Sequence, residues 1–236
     1  MKSKYIAWAI APIFLIGCSD YLETPPSVDY GENEVFATRA DAEKLLTTLY
    51  AEGMPYGFCM SSTNTDRRLL SSSTLASACD EGEDVATWAM GNAAWNAGNH
   101  TNTNFPWDED CRFYLRNHTM RVANLILKRI HEVPFDEGDP DFNKRTTGEA
   151  YFMRAMLLWE GVYRYGGMPI VRDVIDPTDF SQRPRNSFSD CIDSILIDCD
   201  RATQYLPDYY TDNTKLGRAT RIAALALKAR VLLYAA

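Results

Sequence analysis

The chain has 236 residues, of which 46% are hydrophobic, 12% aromatic and 24% charged. This composition is typical of a globular protein with enough apolar side chains for a large core, and it excludes the disordered and fibrous classes. The formal net charge is −8 at pH 7. Because nucleic acids bind to clustered positive charge, we expect no nucleic acid partner.

The first residues have the layout of a bacterial secretory signal. Lys2 and Lys4 precede an apolar stretch, residues 6–16, and small Gly17 stands before Cys18. The apolar stretch is too short to span a bilayer. The end of the segment resembles the lipobox that a lipoprotein signal peptidase cleaves before a cysteine.

The lipobox predicts how the chain is divided. Residues 1–17 are the predicted signal peptide, and residues 18–236 are the predicted mature part, with acyl chains on Cys18. Each buried methylene of an acyl chain contributes about 0.8 kcal/mol of membrane affinity, whereas an acidic surface is repelled by anionic headgroups. Lipid is therefore expected to hold the protein at the membrane without spanning it.

Apolar side chains recur at helical spacing in five segments, and several of these segments open with an N-capping pattern. The predicted helices cover approximately residues 38–52, 111–131, 146–165, 187–206 and 219–236. Each carries one wide apolar stripe, which in the last helix includes Ile222, Leu225, Leu232 and Leu233, so the helices must pack on one another. An all-α array is predicted. Residues 229–236 continue the last helix without a C-cap, from which we expect a longer protein.

The segment between the first two helices, residues 54–107, differs in composition from the rest. It has no lysine, is rich in Ser, Thr and Asn, and holds Trp88, Trp95 and Trp107, three of the five tryptophans. Long loops in compact domains are often functional, and disordered segments contain few tryptophans. We therefore predict that this insert is an ordered, irregular surface region that carries the function.

The insert contains the residue types that bind sugars. A sugar ring lies flat on an aromatic ring through its C–H groups, while its hydroxyls need hydrogen-bond donors and acceptors. The predicted ligand-binding residues are Asp80, Glu81, Trp88, Trp95, Asn96 and Asn99. The alternative is that the tryptophans form the small core of the insert, because tryptophan is usually mostly buried.

Several segments together resemble the SusD/RagB family of outer-membrane nutrient-binding lipoproteins from Bacteroidetes. The segments that carry the resemblance are Cys18–Pro26, Phe36–Ala42, Met120–Leu125, Gly148–Ala155, Tyr165–Val171 and Gly217–Thr220. The tryptophan-rich insert has no firm counterpart in this resemblance. The part with the predicted ligand residues is therefore the part that differs most from the family pattern.

The resemblance implies a fold of tetratricopeptide-like helix pairs with long irregular insertions. It implies a non-enzymatic, lipid-anchored protein of the outer membrane, exposed on the cell surface, that binds oligosaccharides. It also implies a partner, a SusC-type TonB-dependent transporter, to which the ligand is delivered for nutrient uptake. Peptide binding, as in RagB-like members, and a helical-repeat adaptor without a small ligand are the alternatives.

Signatures of catalysis are scarce in the chain. There is no Gly-x-Ser-x-Gly elbow, no Walker loop and no Cys-x-x-Cys pair, so an envelope hydrolase is least favoured and no cofactor is predicted. Residues 136–141 are rich in Asp but lack the alternation of an EF-hand, which predicts a solvated loop rather than a metal site. Four charged residues of the third helix are predicted to be structural: Glu149 as part of a cap, Glu160 with Arg164 as an ion pair, and Arg154 as a long side chain that snorkels to the surface or bridges helices.

Overall fold

The computed structural model describes residues 31–54 and 119–236, except Pro177, Phe180 and Gln182. Six α-helices lie in these ranges: α1 (Glu32–Val35), α2 (Arg39–Gly53), α3 (Thr119–Arg129), α4 (Phe142–Tyr165), α5 (Phe188–Tyr205) and α6 (Arg221–Ala235). Two short 3-10 helices cover Ile130–Glu132 and Asn213–Lys215. No strand occurs in these ranges, which confirms the predicted all-α class. Nor does any helix within them have the length and apolar character needed to cross a bilayer.

Side-chain caps begin three of the α-helices, and the sequence predicts two of them. The Thr38 side chain accepts a hydrogen bond from the Asp41 amide at the start of α2. Ser187 accepts one from the Asp190 amide at the start of α5. Thr220 caps α6 in the same way. Each cap satisfies one of the amides that the first turn of a helix leaves without a partner.

The start of α4 differs from the prediction. The helix begins at Phe142, about one turn before the expected capping pattern at Thr146. Thr146 and Glu149 are both fully buried inside the helix, so the Thr-x-x-Glu pattern belongs to a packed face and Glu149 completes no cap. Phe142 is also buried, and the removal of its ring from water stabilises the additional turn.

Helix α4 is the centre of the structure. It packs against α2, α3, α5 and α6, and α5 in turn packs against α6. The largest fully buried apolar side chains of the core are Phe36, Leu46, Leu49, Ile126, Met153, Leu157, Trp159, Ile195, Val162 and Val231. Helices that follow one another in the chain therefore lie side by side, as in stacked helix pairs.

Helix α6 is present as predicted, but its predicted apolar stripe is not the face that packs. Ala224, Leu227 and Val231 are the buried residues of this helix. Ile222 and Leu233 of the predicted stripe are 62% and 82% exposed. Apolar residues occupy most of the surface of α6, so the apolar pattern alone does not identify the buried face.

Candidate functional site

The ligand-binding residues predicted from the sequence lie outside the residues that the structure describes, as does Cys18. These ligand residues are Asp80, Glu81, Trp88, Trp95, Asn96 and Asn99. They remain a prediction. Within the described ranges, one concave feature with polar and aromatic walls is a cleft at one end of the helical array.

The cleft lies where the start of α4 meets the end of α5 and the loop that follows α5. Its volume is about 270 Å³, close to the lower end of the range of about 300–1,000 Å³ that small-molecule sites have. It is lined by Asp139, Asp141, Lys144, Arg145, Tyr205, Leu206, Pro207, Tyr209, Tyr210, Thr211, Asp212 and Lys215. The lining thus combines three tyrosine rings with charged side chains of both signs.

A buried ion cluster forms one side of the cleft. Arg145 donates two hydrogen bonds to the Asp139 carboxylate, at 2.9 and 2.8 Å, and the Lys215 ammonium donates a third at 3.0 Å. The Arg145 guanidinium, with help from Lys215, lowers the pKa of Asp139 to about 2. The prediction of a solvated loop is wrong at Asp139, because this residue is only 8% exposed. The cluster ties the loop after α5 to the start of α4.

Replacement of Asp139 by Asn is expected to destabilise the protein at neutral pH and to have less effect in acid. The pKa of Asp139 is about 2 in the folded protein against an ordinary value of 3.8. A lowered folded-state pKa stabilises the fold above about pH 4, and this contribution of about 2 kcal/mol is lost as the pH falls towards about 2.

The measurement is the free energy of unfolding in urea, for both proteins, between about pH 7 and about pH 3. Asp141→Asn is the matched control, because the exposed Asp141 side chain makes no capping hydrogen bond. The stability difference between wild type and Asp139→Asn should shrink below about pH 4. A difference that stays constant over that range would contradict the ion pairing of Asp139.

The other side of the cleft depends on a close approach of two helices at Gly148. A Cβ atom at this position would lie 2.8 Å from Leu206 Cγ and 2.9 Å from Tyr205 Cβ. These distances are too short for carbon atoms in contact, so glycine allows the end of α5 to reach α4. The Tyr205 ring then packs on Tyr151, with ring centroids 6.1 Å apart.

The loop after α5 is held at both of its ends. The Pro207 carbonyl accepts a hydrogen bond from the Arg221 amide at 2.8 Å. The Tyr210 hydroxyl donates one to the Ala219 carbonyl at 3.0 Å. The loop therefore presents its tyrosines from a wall that main-chain and side-chain hydrogen bonds hold in one shape.

A second buried network lies between α3, α4 and α5. Arg154 donates two hydrogen bonds to the Asp198 carboxylate, at 2.7 and 2.8 Å, and one to the Asn124 side chain at 2.9 Å. Arg172, in the loop after α4, donates another to Asp198 at 3.2 Å. Arg154 therefore bridges helices, which confirms the structural role predicted for it.

The other charged residues singled out on α4 also make internal contacts. Arg164 pairs with Glu160 one turn away, which confirms that prediction. Glu149 lies 3.3 Å from Arg145 and 3.4 Å from Arg218. Burial raises the pKa of Glu149 above its ordinary value, although the neighbouring Arg218 opposes this rise. Arg145 and Arg164 thus form pairs within α4, whereas Arg218 joins Glu149 to the loop before α6.

The cleft is not predicted from the sequence. The signal for it in the sequence is the group of Tyr205, Tyr209 and Tyr210 around Pro207. The walls are brought together by tertiary contacts, and the bonded pair Asp139 and Lys215 is separated by 76 positions. In the described ranges, no group of three or more His, Cys, Asp or Glu side chains is arranged to hold a metal ion.

Comparison with protein families matches residues 20–233 to a SusD-like family, described as starch-binding and associating with the outer membrane. The chain has no significant match among curated protein sequences. Solved structures give several matches, and three are informative about the fold.

A SusD-like protein from Bacteroides fragilis matches with 28% identity and a TM-score of 0.59, over 86% of this chain and 36% of that chain. A laminarin-binding SusD-like protein matches with 19% identity and a TM-score of 0.68, over 85% and 41% of the two chains. Surface glycan-binding protein A from Bacteroides fluxus matches with 18% identity and a TM-score of 0.59, over 84% and 40%. The chain spans less than half the length of these proteins. Because the family match extends over residues 20–233, the chain belongs to the SusD-like family.

Proposed function

We propose that the protein is a non-enzymatic, lipid-anchored receptor that binds oligosaccharides at the cell surface and delivers them to a SusC-type TonB-dependent transporter. In this proposal, residues 1–17 are a signal peptide, Cys18 carries the lipid, and residues 18–236 form the SusD-like helical part. The observation that carries the proposal is the match of residues 20–233 to a starch-binding family that associates with the outer membrane.

Two further observations support a glycan as the ligand. The similar structures include a protein named for laminarin binding and another named for surface glycan binding. The net charge of −8 also disfavours capture of anionic ligands over long distances. A neutral sugar gains its affinity from stacking and hydrogen bonding at short range, which the composition of the insert provides.

The proposed ligand residues divide into two groups by their chemistry. Trp88 and Trp95 provide rings on which a pyranose ring stacks. The side chains that provide acceptors and donors for the sugar hydroxyls are Asp80, Glu81, Asn96 and Asn99. Because the two tryptophans supply most of the contact area, they are the residues whose removal tests the proposal.

Replacement of Trp88 and Trp95 together by Ala is expected to lose about 2–4 kcal/mol of oligosaccharide binding, the usual cost of truncating aromatic hot spots. The measurement is titration calorimetry of the purified full-length protein with laminarihexaose, maltohexaose and xylohexaose. Peptides serve as competing ligands in the same assay. The helical circular dichroism signal is recorded for each variant.

The matched control replaces the same two tryptophans by Phe, which keeps a ring at each position and should keep most of the affinity. An Ala variant with wild-type affinity and an intact helical signal would remove the two tryptophans from the site. Loss of the helical signal would show instead that the rings are core. Binding of peptides without any hexasaccharide would favour the peptide alternative.

A further inference from the structure

We propose that the cleft between the start of α4 and the loop after α5 is a second oligosaccharide-binding site, built from residues outside the tryptophan-rich insert. This inference rests on the proposed function, because it assumes that the protein binds glycans. It concerns residues that the structure describes.

The tyrosines of the cleft provide a surface for stacking. The Tyr209 side chain is 72% exposed, whereas Tyr205 is 37% exposed and is held by Tyr151 behind it. An exposed ring makes few packing contacts in the free protein, so it gains contact area when a ligand covers it. Tyr205 and Tyr209 are therefore available to a ligand, while Tyr210 uses its hydroxyl to hold the loop.

The charged residues of the cleft favour a neutral polar ligand. Three carboxylates and three cationic side chains line it, so the cleft has no net charge that would select an anion or a cation. Two hydrogen bonds join Arg145 to Asp139 at its base. Asp141 and Lys144, in contrast, are exposed and make no side-chain hydrogen bond or ion pair with another described residue. They offer one acceptor and one donor to the hydroxyls of a sugar.

The cleft is also shaped before a ligand enters. Gly148 allows Tyr205 and Leu206 to approach α4, and the bond from Lys215 to Asp139 fixes the loop against the same helix. A ligand that binds there does not have to order a mobile wall. Binding therefore costs little conformational entropy, which matters for a ligand as weakly held as a sugar.

The same features disfavour a protein partner as the occupant. The centre of a protein–protein interface is depleted of charged residues and is more apolar than the rest of the surface. Six of the twelve residues that line the cleft are charged. A concave site with exposed rings and satisfied charges at its base is more typical of a small polar ligand.

The test compares Tyr209→Ala with Phe135→Ala in the purified full-length protein. Phe135 is the matched control because it is an exposed aromatic residue, 74% accessible, that does not line the cleft. Both changes are made in the wild type and in the variant that lacks Trp88 and Trp95. The probes are laminarihexaose, maltohexaose and xylohexaose. Their binding is measured by calorimetry and by changes in the NMR signals of ring-labelled tyrosine.

In the variant without the two tryptophans, weak binding of a hexasaccharide should remain and should shift the NMR signal of Tyr209. Tyr209→Ala should weaken this binding about tenfold, the effect of losing one stacking contact, whereas Phe135→Ala should leave it unchanged.

The failures of the two proposals are distinguishable. The wild type could bind a hexasaccharide without any dependence on Tyr209 and without a shift of the Tyr209 NMR signal. That result would overturn the second site and leave the proposed function intact. Absence of binding of any hexasaccharide to the wild type would overturn both. If Tyr209→Ala impairs copurification with a transporter while sugar binding is unchanged, the cleft is a protein contact and the inference is wrong.

Discussion

Replacement of Asp198 by Ala is expected to lower the free energy of unfolding by about 3–5 kcal/mol, the usual cost of leaving one buried ion without its partner. Asp198 is 2% exposed, and Arg154 is 5% exposed. The Asp198 carboxylate accepts two hydrogen bonds from Arg154 and one from Arg172. Without the carboxylate, Arg154 keeps the Asn124 side chain as an acceptor but carries an uncompensated charge inside the protein.

The matched control is Asp193→Ala on the same helix. Asp193 is exposed, so its removal should change the unfolding free energy by no more than about 0.5 kcal/mol. The measurement is urea unfolding followed by circular dichroism, with the urea dependence of the free energy checked for each variant. Equal stability of the Asp198 and Asp193 variants would show that the ion pair contributes nothing to the fold.

A second variant separates the loss of the ion pair from the loss of volume. Arg154→Met combined with Asp198→Leu removes both charges and fills most of the space with apolar atoms. Buried ion pairs are often replaced in this way with little change in stability. The double variant should therefore be more stable than Asp198→Ala, although it contains one more substitution. A double variant less stable than the single one would mean that the hydrogen bonds of Arg154 are worth more than its desolvation costs.

The helices are predictable from the sequence because their signals are local. Thr38 and Ser187 cap helices through bonds to amides three residues away, and the buried face of α5 follows the helical period. The start of α4 is not predictable in this way. Glu149 stands where a capping residue would be expected, but its partners Arg145 and Arg218 become apparent only when α4 is packed.

The same distinction applies to the candidate sites. The tryptophan-rich insert is noticeable as a change in composition, which a linear sequence displays directly. The cleft is made by residues from two distant segments, and its shape depends on the fact that Gly148 has no Cβ atom. The period of the apolar residues does not reveal that the two distant segments come together, nor that Gly148 allows their close packing. Tertiary contacts, not local propensity, therefore bring Tyr205 and Lys144 to the same cleft.

The double glycine after α4 fixes the approach of α5 to α4, and each glycine is needed for a different reason. Gly166 has a φ of 74°, a conformation that side chains other than glycine rarely adopt. A Cβ atom at Gly167 would lie well inside van der Waals distance of the Asn186 carbonyl oxygen, so the close approach of these two segments requires glycine. Two hydrogen bonds join the two segments there. The Asn186 amide donates to the Met168 carbonyl at 3.1 Å, and the Ile170 amide donates to the Asn186 side chain at 2.9 Å.

Gly167→Ala is therefore expected to destabilise the protein by about 3–5 kcal/mol, because relief of the collision separates the two segments and breaks their hydrogen bonds. Gly31→Ala is the control, since a Cβ at Gly31 meets no atom within 4 Å. Urea unfolding of both variants is the measurement. The N-cap of α5 follows Asn186 directly, so the loss should also reduce the helical signal before the main transition. An unfolding midpoint for Gly167→Ala equal to that of Gly31→Ala would show that the two segments move apart without cost, and that the approach of α5 to α4 is set instead by the ion pairs around Asp198.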